Sequence, residues 1–283
     1  MIKSPAFRYH GGKFRLSAWV HQHLPAHHVY VEPFGGAAGV LLTKPRSYSE
    51  VYNDLDGDVV NLFRVLQDQA LRERLVELCL LTPYARSEFD LAWEQTTDPV
   101  DRARRLLIRA QMGFGSAGAT KGKTGFRIDS QRAYGTAQQL WSRFPDGLAA
   151  VGERFTGVLI ENRPALEVMQ QHDSAQTLHY VDPPYMHSAR VMAAGKAGYY
   201  RHEMTEEDHV SLLSALRSLA GMVVVSGYRT DLYDAALSDW KMVETTARIS
   251  AGRGCTTRTE CMWISPSAQQ TARQPTLPLG DVA

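Results

Sequence analysis

The hydrophobic pattern of the chain alternates short apolar runs with longer amphipathic ones. Short runs rich in β-branched and aromatic residues predict strands, because such side chains fit a pleated surface. These runs are "HVYVE", "SEVYND", "GVLIE", "QTLHYVD" and "GMVVVSG", at residues 28–32, 49–54, 157–161, 176–182 and 221–227. Two later runs, "WKMVETTARIS" and "RTECMWIS", predict strands that pair as a terminal antiparallel ribbon.

Start signals mark several of the predicted helices. Asp98 followed by Pro99 is an N-cap with proline at the first helical position, before "VDRARRLLIRAQM". Thr205 and Asp208 have the spacing of a capping box for a helix up to residue 219. Further helices are predicted for "VLLTK", "TAQQLWSRF", "PALEVMQQH" and "TDLYDAAL". The stretch "GFGSAGATKGKTG" is predicted to be a long loop, because its glycines follow no helical or strand period.

This order of elements predicts an α/β fold with a mostly parallel sheet and helices on both faces. Residues 1–60 and 151–265 are expected to form one discontinuous domain, and residues 61–150 a helical, basic insertion. The polar tail over 266–283 is expected to be disordered. Ligands of such sheets bind beyond the carboxyl ends of the strands, where Glu32 and Asp182 are expected.

Charge is distributed unevenly along a chain whose formal net charge is +1. Residues 100–145 carry nine Lys or Arg against two Asp, and this excess predicts a polyanionic partner such as nucleic acid. A helix face that is merely solvated is the alternative. No apolar run approaches the ~20 residues of a membrane helix. The polar N-terminus and the three cysteines favour a reduced, cytoplasmic protein, associated with the nucleoid if the polyanion is DNA.

The stretch "VEPFGGAAG" follows the first predicted strand. Gly35 and Gly36 allow a ligand to approach the backbone closely. Asp54, after the second strand, is placed to bind a ribose. Because this loop has no G-x-G-x-x-G motif and is not rich in Lys, a nucleoside such as S-adenosylmethionine fits better than a dinucleotide, and Glu32 and Asp182 would favour its sulfonium charge. A glycine-rich turn needed only for packing is the alternative.

The stretch "DPPY" follows the strand at 176–182. The Asp182 carboxylate and the Pro183 carbonyl are two acceptors that can hold an amino group, and the two prolines make them rigid. Tyr185 offers a ring on which a planar base can stack. This arrangement predicts direct methyl transfer to an exocyclic amine. A strand-ending turn is the alternative.

Taken together, "YHGGK", "VEPFGGAAG", "YNDLD", "VDPPY" and "RTECMWIS" resemble, in this order, the Dam-type adenine-N6 DNA methyltransferases. The resemblance implies a Rossmann-like methyltransferase sheet, S-adenosylmethionine as cofactor with S-adenosylhomocysteine as product, no metal, and an inserted target-recognition domain. It implies catalytic roles for Asp182, Pro183, Pro184 and Tyr185. It implies cofactor contacts for Tyr9, Gly12, Lys13, Glu32, Phe34, Gly35, Asp54 and Asp182. Pro164 and His10 depart from the family pattern.

Candidates for contact with double-stranded DNA come from the basic stretch. They are Arg109, Lys121, Lys123, Arg127 and Arg132. The expected reaction is methylation of N6 of a flipped adenine at a specific site, by one half of a restriction–modification pair or by an orphan methyltransferase, with a homodimer as a further expectation. Two alternatives stay open. One is methylation of another planar amine, such as cytosine N4, an RNA base or a protein amide. The other is a DNA-binding regulator without turnover.

Overall fold

A computed structural model describes residues 2–119, 122, 124–128, 135–189, 200–251 and 254–273. Its strands, in chain order, are β1 (Val29–Glu32), β2 (Ser49–Asn53), β3 (Leu159–Glu161), β4 (Thr177–Val181), β5 (Met222–Gly227), β6 (Lys241–Ala251) and β7 (Gly254–Ile264). Its α-helices are α1 (Ser17–His21), α2 (Gly57–Gln67), α3 (Gln69–Leu81), α4 (Arg86–Leu91), α5 (Pro99–Met112), α6 (Ala137–Arg143), α7 (Leu148–Phe155), α8 (Ala165–Gln171), α9 (Glu206–Ser218), α10 (Asp231–Ala236) and α11 (Pro266–Arg273).

The strands form one sheet in the order β3-β2-β1-β4-β5-β7-β6. The neighbours from β3 to β5 are parallel, whereas β7 pairs antiparallel with both β5 and β6. The predicted α/β class, the parallel sheet and the terminal antiparallel ribbon are therefore confirmed. Chain order reverses between β1 and β4, and a parallel sheet opens a crevice for ligands at such a switch point.

Burial explains why the central strands have continuous apolar sequences. All residues of β4 and β5 are buried, as expected for strands covered on both faces. The predicted helix signals are confirmed at α5 and α9. Asp98 accepts hydrogen bonds from the backbone N–H groups of Val100 and Asp101, and Thr205 and Asp208 form a reciprocal capping box. Among the described residues, no helix combines the length and apolar character needed to cross a membrane.

The described elements between β2 and β3 are helical, and they share a hydrophobic core with the sheet. Tyr52 of β2 contacts Phe63 of α2 at a ring-centroid distance of 4.8 Å, and Phe63 stacks on Phe155 of α7 at 4.2 Å. The same buried cluster extends to Phe89 of α4 and Leu106 of α5. Close packing of this kind fixes the orientation of the helices relative to the sheet.

Three local expectations differ from the structure. "VLLTK" forms successive turns after the glycines rather than a helix, although Leu42 N–H does donate to the Ala38 carbonyl at 2.9 Å. The tail expected to be disordered from Pro266 begins with α11, because buried Ala268 packs into the main core; the residues after 273 lie outside the described ones. The glycine-rich loop begins and ends in a short antiparallel pairing, with Phe114 N–H donating to Gly125 O at 2.7 Å.

Candidate active site

A cavity of about 320 Å³ opens where the strand order reverses, beyond the carboxyl ends of β1 and β4. This volume is within the range of small-molecule sites. All eight residues predicted to contact a cofactor line it, although they come from four separate parts of the sequence. They are Tyr9, Gly12, Lys13, Glu32, Phe34, Gly35, Asp54 and Asp182. The parallel sheet therefore brings the predicted set together.

Glu32 ends β1 at the base of the cavity and is buried. Its Oε2 accepts hydrogen bonds from the Tyr30 hydroxyl at 2.7 Å and from the Leu41 N–H at 3.0 Å. Burial raises the pKa of Glu32 from 4.5 to about 8, because a charged carboxylate loses its hydration inside the protein. This carboxyl group therefore favours a cationic ligand, which would restore the lost stabilisation of the charged form.

Asp54 follows β2 and holds the glycine loop, residues 33–39, in place. Its Oδ2 accepts from Gly36 N–H and its Oδ1 from Asp56 N–H, each at 2.8 Å. Burial raises the pKa of Asp54 to about 6, against the lowering effect of these two hydrogen bonds. Asp54 thus orients the loop as well as lining the cavity.

The glycines of this loop are required by neighbouring aromatic rings. A Cβ at Gly35 would lie 2.1 Å from the ring of Tyr52, and a Cβ at Gly36 would lie 2.7 Å from the ring of Tyr9. Gly36 also has a φ of +48°, which side chains disfavour. The Tyr52 hydroxyl donates to Gly36 O at 2.6 Å. Close packing against these rings, the alternative to a ligand-binding role, therefore explains why both positions are glycine. The loop nevertheless lines the cavity.

Lys13 and Asp182 form an ion pair on the cavity wall. Lys13 Nζ lies 2.9 Å from Oδ1 and 3.0 Å from Oδ2 of Asp182, but only the contact with Oδ2 has hydrogen-bond geometry. Burial alone would lower the pKa of Lys13, but the carboxylates of Asp182 and Glu260 outweigh it and raise that pKa. Burial raises the pKa of Asp182, and Lys13 opposes that rise. Asp182 Oδ1 is thus a buried acceptor at the cavity.

The remaining residues of "DPPY" lie beside this pair. Pro184 lines the cavity, and Pro183 is buried. Lys13 Nζ lies 4.7 Å from the ring centroid of Tyr185, and the Tyr185 hydroxyl donates to Glu260 Oε2 at 2.8 Å. The ring of Tyr228 packs edge-on against Tyr185 at 4.6 Å. The ring predicted to stack a base is therefore fixed from several directions.

Part of the cavity wall was missed by sequence reasoning. Residues 200–204, Tyr200 to Met204, also line it. Arg201 donates to Asp56 at 2.9 Å and lies 3.2 Å from Asp58. This segment has no glycine or proline signature, so only the Asp residues of "YNDLDGD" could have indicated a cationic partner. Pro164 and Leu166, at the start of α8, give the wall an apolar side.

The N-terminal segment connects the cavity to the helical region. Tyr9 and Lys13 line the cavity, whereas Arg8 donates to the Gly113 and Gly115 carbonyls. His10 Nδ1 lies 3.0 Å from the Ser116 hydroxyl. The paired stretches around Gly113 and Phe126 form the base of a hairpin, which we call the 112–127 hairpin. Lys121 and Lys123, which come between these stretches in the sequence, and Arg132 lie outside the described residues.

The basic residues of α5 have partners within the protein. Asp58 binds Arg102 at 2.7 Å and Arg109 at 2.8 Å, and Asp101 binds Arg104 and Arg105. The side chain of Arg109 is 11% exposed, and Arg127 is buried. Much of the local positive charge is thus neutralised inside the fold, and the DNA contacts predicted for Arg109 and Arg127 stay predictions.

The donor set fits the cofactor predicted from the sequence. Carboxyl groups of Glu32, Asp54 and Asp182 surround the cavity and favour a cation. Asp182 Oδ1 is buried without a hydrogen bond from the described residues. Phe34 and Leu166 add apolar surface suited to a planar base. The site can therefore hold a ligand that combines a positive charge with an aromatic nucleobase.

Comparison with known proteins points the same way. A family model described as D12 class N6 adenine-specific DNA methyltransferase matches residues 9–250. Two similar curated proteins, both called DNA adenine methylase, come from Escherichia coli strain K12 and from Escherichia coli O157:H7. Each is 26% identical over 246 residues, an alignment that covers 82% of this chain and 84% of the relative.

Proposed function

The chain belongs to the D12 class N6 adenine-specific DNA methyltransferase family, and from this premise we propose how its cavity works. Membership decides between the alternatives above in favour of an enzyme that acts on adenine in DNA. The proposal is that the cavity binds S-adenosylmethionine, and that one adenine of a specific duplex site is flipped into contact with "DPPY" to receive the methyl group at N6.

The observation that carries the proposal is the state of Asp182. It forms an ion pair with Lys13 on the cavity wall, in which Lys13 donates a hydrogen bond to Oδ2, whereas buried Oδ1, 2.9 Å from the same ammonium, receives no hydrogen bond from the described residues. A carboxylate oxygen that is paired with a charge but receives no hydrogen bond can still accept one from a ligand. The N6 amine of adenine is such a donor, and the Pro183 carbonyl supplies the second acceptor. The two acceptors would direct the nitrogen lone pair toward the cavity.

S-adenosylmethionine, when bound, supplies an electrophilic methyl group and leaves as S-adenosylhomocysteine. Asp182 and the Pro183 carbonyl would hold the amine so that its nitrogen could accept this methyl group, and the electron pair of the carbon–sulfur bond would stay on sulfur. Asp182 is placed to take the proton that N6 then releases, and its raised pKa suits that role. Glu32 and Asp54 stabilise the positive charge before transfer. Holding both reactants in place supplies much of the acceleration.

The target adenine has to leave the helical stack to reach this site, which costs a few kcal/mol. Tyr185 offsets part of that cost by stacking on the extruded base. The 112–127 hairpin is proposed to contact the DNA, and Lys121 and Lys123 belong to the same stretch of sequence. Arg132 follows in the same basic stretch. Phosphate contacts by these side chains would make binding salt-dependent. A homodimer, which suits a palindromic site, stays a prediction.

The test is methyl transfer from labelled S-adenosylmethionine to duplex DNA by Asp182→Ala and Asp182→Asn. We expect kcat to fall by about 10²-fold or more in both, because alanine removes the acceptor for the amine and neither side chain can take up the proton that a carboxylate would take. DNA affinity is expected to stay within about threefold, because phosphate contacts dominate it. Asp239→Ala is the matched control, since Asp239 pairs with Arg217 outside the cavity.

The asparagine variant guards against a folding defect, because it keeps an acceptor for Lys13 that alanine removes. Mass spectrometry of the digested product is expected to show N6-methyladenine alone. Methylation of cytosine would contradict the proposed target. Full activity of Asp182→Asn would contradict the role of the carboxylate.

A further inference from the structure

Glu260 is a buried carboxylate beside the catalytic motif whose role the proposed reaction leaves unexplained. It lies on β7 opposite Thr245 of β6 and is 7% exposed. Its Oε2 accepts the hydrogen bond of the Tyr185 hydroxyl at 2.8 Å. Burying a carboxylate is costly, and among the described residues Glu260 has the Tyr185 phenol as hydrogen-bond donor and the charge of Lys13 nearby, which indicates a requirement beyond packing.

The neighbouring position on the same face of β7 supports the same ring system. Arg258 and Glu260 are two residues apart, so both side chains leave the strand on one side. The Arg258 guanidinium lies 5.1 Å from the ring centroid of Tyr228, which packs edge-on against Tyr185. The strand thus fixes Tyr185 twice, directly through Glu260 and indirectly through Tyr228.

Tyr185 carries one hydroxyl hydrogen, and two acceptors compete for it. The Tyr185 hydroxyl lowers the pKa of Asp182 as a hydrogen-bond donor, so Asp182 is within its reach. A hydrogen given to Glu260 is not available to Asp182. In the structure the Tyr185 hydroxyl donates to Glu260, and Asp182 is paired with Lys13.

We propose that Glu260 is a positioning residue for methyl transfer: by accepting the Tyr185 hydroxyl, it fixes the stacking ring and leaves Asp182 available for the adenine amine. The inference rests on the proposed function, because it assumes that Tyr185 stacks the base and that Asp182 holds its amine. Without Glu260, the phenol would turn to Asp182 and compete with the substrate.

The experiment compares Glu260→Ala, Glu260→Gln, Tyr185→Phe and the double variant Glu260→Ala/Tyr185→Phe in steady-state methylation of duplex DNA. Loss of a hydrogen bond to a charged group predicts that Glu260→Ala lowers kcat by about tenfold or more. KM for S-adenosylmethionine is expected to change less than about twofold, because Glu260 does not line the cofactor cavity. Glu260→Gln keeps an acceptor and is expected to recover most of the activity.

The double variant is decisive, because phenylalanine cannot donate to Asp182. It is expected to be no slower than Glu260→Ala, and faster if competition for Asp182 dominates. A double variant whose loss equals the product of the two single losses would overturn the inference. Thr259→Ala, on the exposed face of the same strand, controls for general effects on β7.

Emission of 2-aminopurine at the target position reports the flipped base separately. This emission is expected to fall in Glu260→Ala and to recover in Glu260→Gln. A purely structural defect would instead change the thermal unfolding of the variant measured without DNA, and would not produce this pattern of emission. The methylation activities of Tyr185→Ala and Asp182→Ala are measured in the same experiment. If these two keep full activity, the proposed function fails. If they lose activity while Glu260→Ala keeps it, only the role of Glu260 fails.

Discussion

Replacing Glu32 by Gln is expected to stabilise the protein at alkaline pH and to weaken cofactor binding. The side chain is buried at the base of the cavity, and burial raises its pKa from 4.5 to about 8. When the pKa of a carboxyl group is higher in the folded state than in the unfolded state, the protein loses stability as the pH rises between those two values. Glutamine has a similar shape, stays neutral, and can still accept from Tyr30 and Leu41.

The size of the effect follows from the two pKa values. Each pH unit between them lowers the free energy of unfolding of the wild type by about 1.4 kcal/mol. From pH 6 to pH 8, the free energy of unfolding of the wild type is expected to fall by about 2 kcal/mol relative to Glu32→Gln. Above pH 8 the difference levels off, because the carboxyl group then ionises in both states. Asp54 titrates in wild type and variant alike, so it does not contribute to the difference.

Urea denaturation of both proteins at pH 6, 7, 8 and 9 measures this difference. Glu206→Gln, an exposed change on α9, serves as the control and is expected to show no such trend. Calorimetric titration with S-adenosylmethionine gives the other half of the test. We expect the wild-type Kd to fall as the pH rises from 7 to 9, and the variant Kd to be about tenfold higher at pH 9 and independent of pH. A stability difference that is constant from pH 6 to pH 9 would refute the reasoning about burial. An unchanged Kd would refute the role of Glu32 toward a cation.

Two further predictions test the cavity wall. Gly35→Ala is expected to lower the free energy of unfolding by about 1–3 kcal/mol, because its Cβ would overlap the buried ring of Tyr52; Gly125→Ala, where the structure leaves open space, is the control in the same denaturation assay. Arg201→Ala is expected to raise the Kd for S-adenosylmethionine by about fivefold at low salt and less at high salt, because its partly exposed pair with Asp58 orders residues 200–204; an effect that is independent of salt would contradict this.

The residues that sequence reasoning located correctly are those with a local physical signal. Glu32 and Asp182 each follow a short apolar run, so their position at the carboxyl edge of a parallel sheet follows from the pattern alone. Asp98 and Thr205 carry cap signals that depend only on their immediate neighbours. Such signals do not require knowledge of which strands become neighbours.

Long-range packing explains the residues that were interpreted differently. Gly35 and Gly36 are typical of close approach to a ligand, yet the groups that approach them are the rings of Tyr52 and Tyr9. Arg109 belongs to a basic run that predicts contact with a polyanion, but Asp58, 51 residues away in sequence, binds it. Tertiary partners of this kind decide the role of a charge or a glycine, and periodicity contains no information about them.

The acidity of the cavity connects its fold to its chemistry. Reversal of strand order brings Glu32, Asp54 and Asp182 to one edge of the sheet, and burial raises the pKa of each. Like charges held together without solvent oppose folding, and Lys13 neutralises only the one at Asp182. A cationic ligand would relieve the same repulsion, so the free energy that the fold gives up in keeping these carboxyl groups buried is available as affinity for that ligand. S-adenosylmethionine should therefore stabilise the protein more than neutral S-adenosylhomocysteine does at equal saturation, and more so at pH 9 than at pH 6, where Glu32 is protonated.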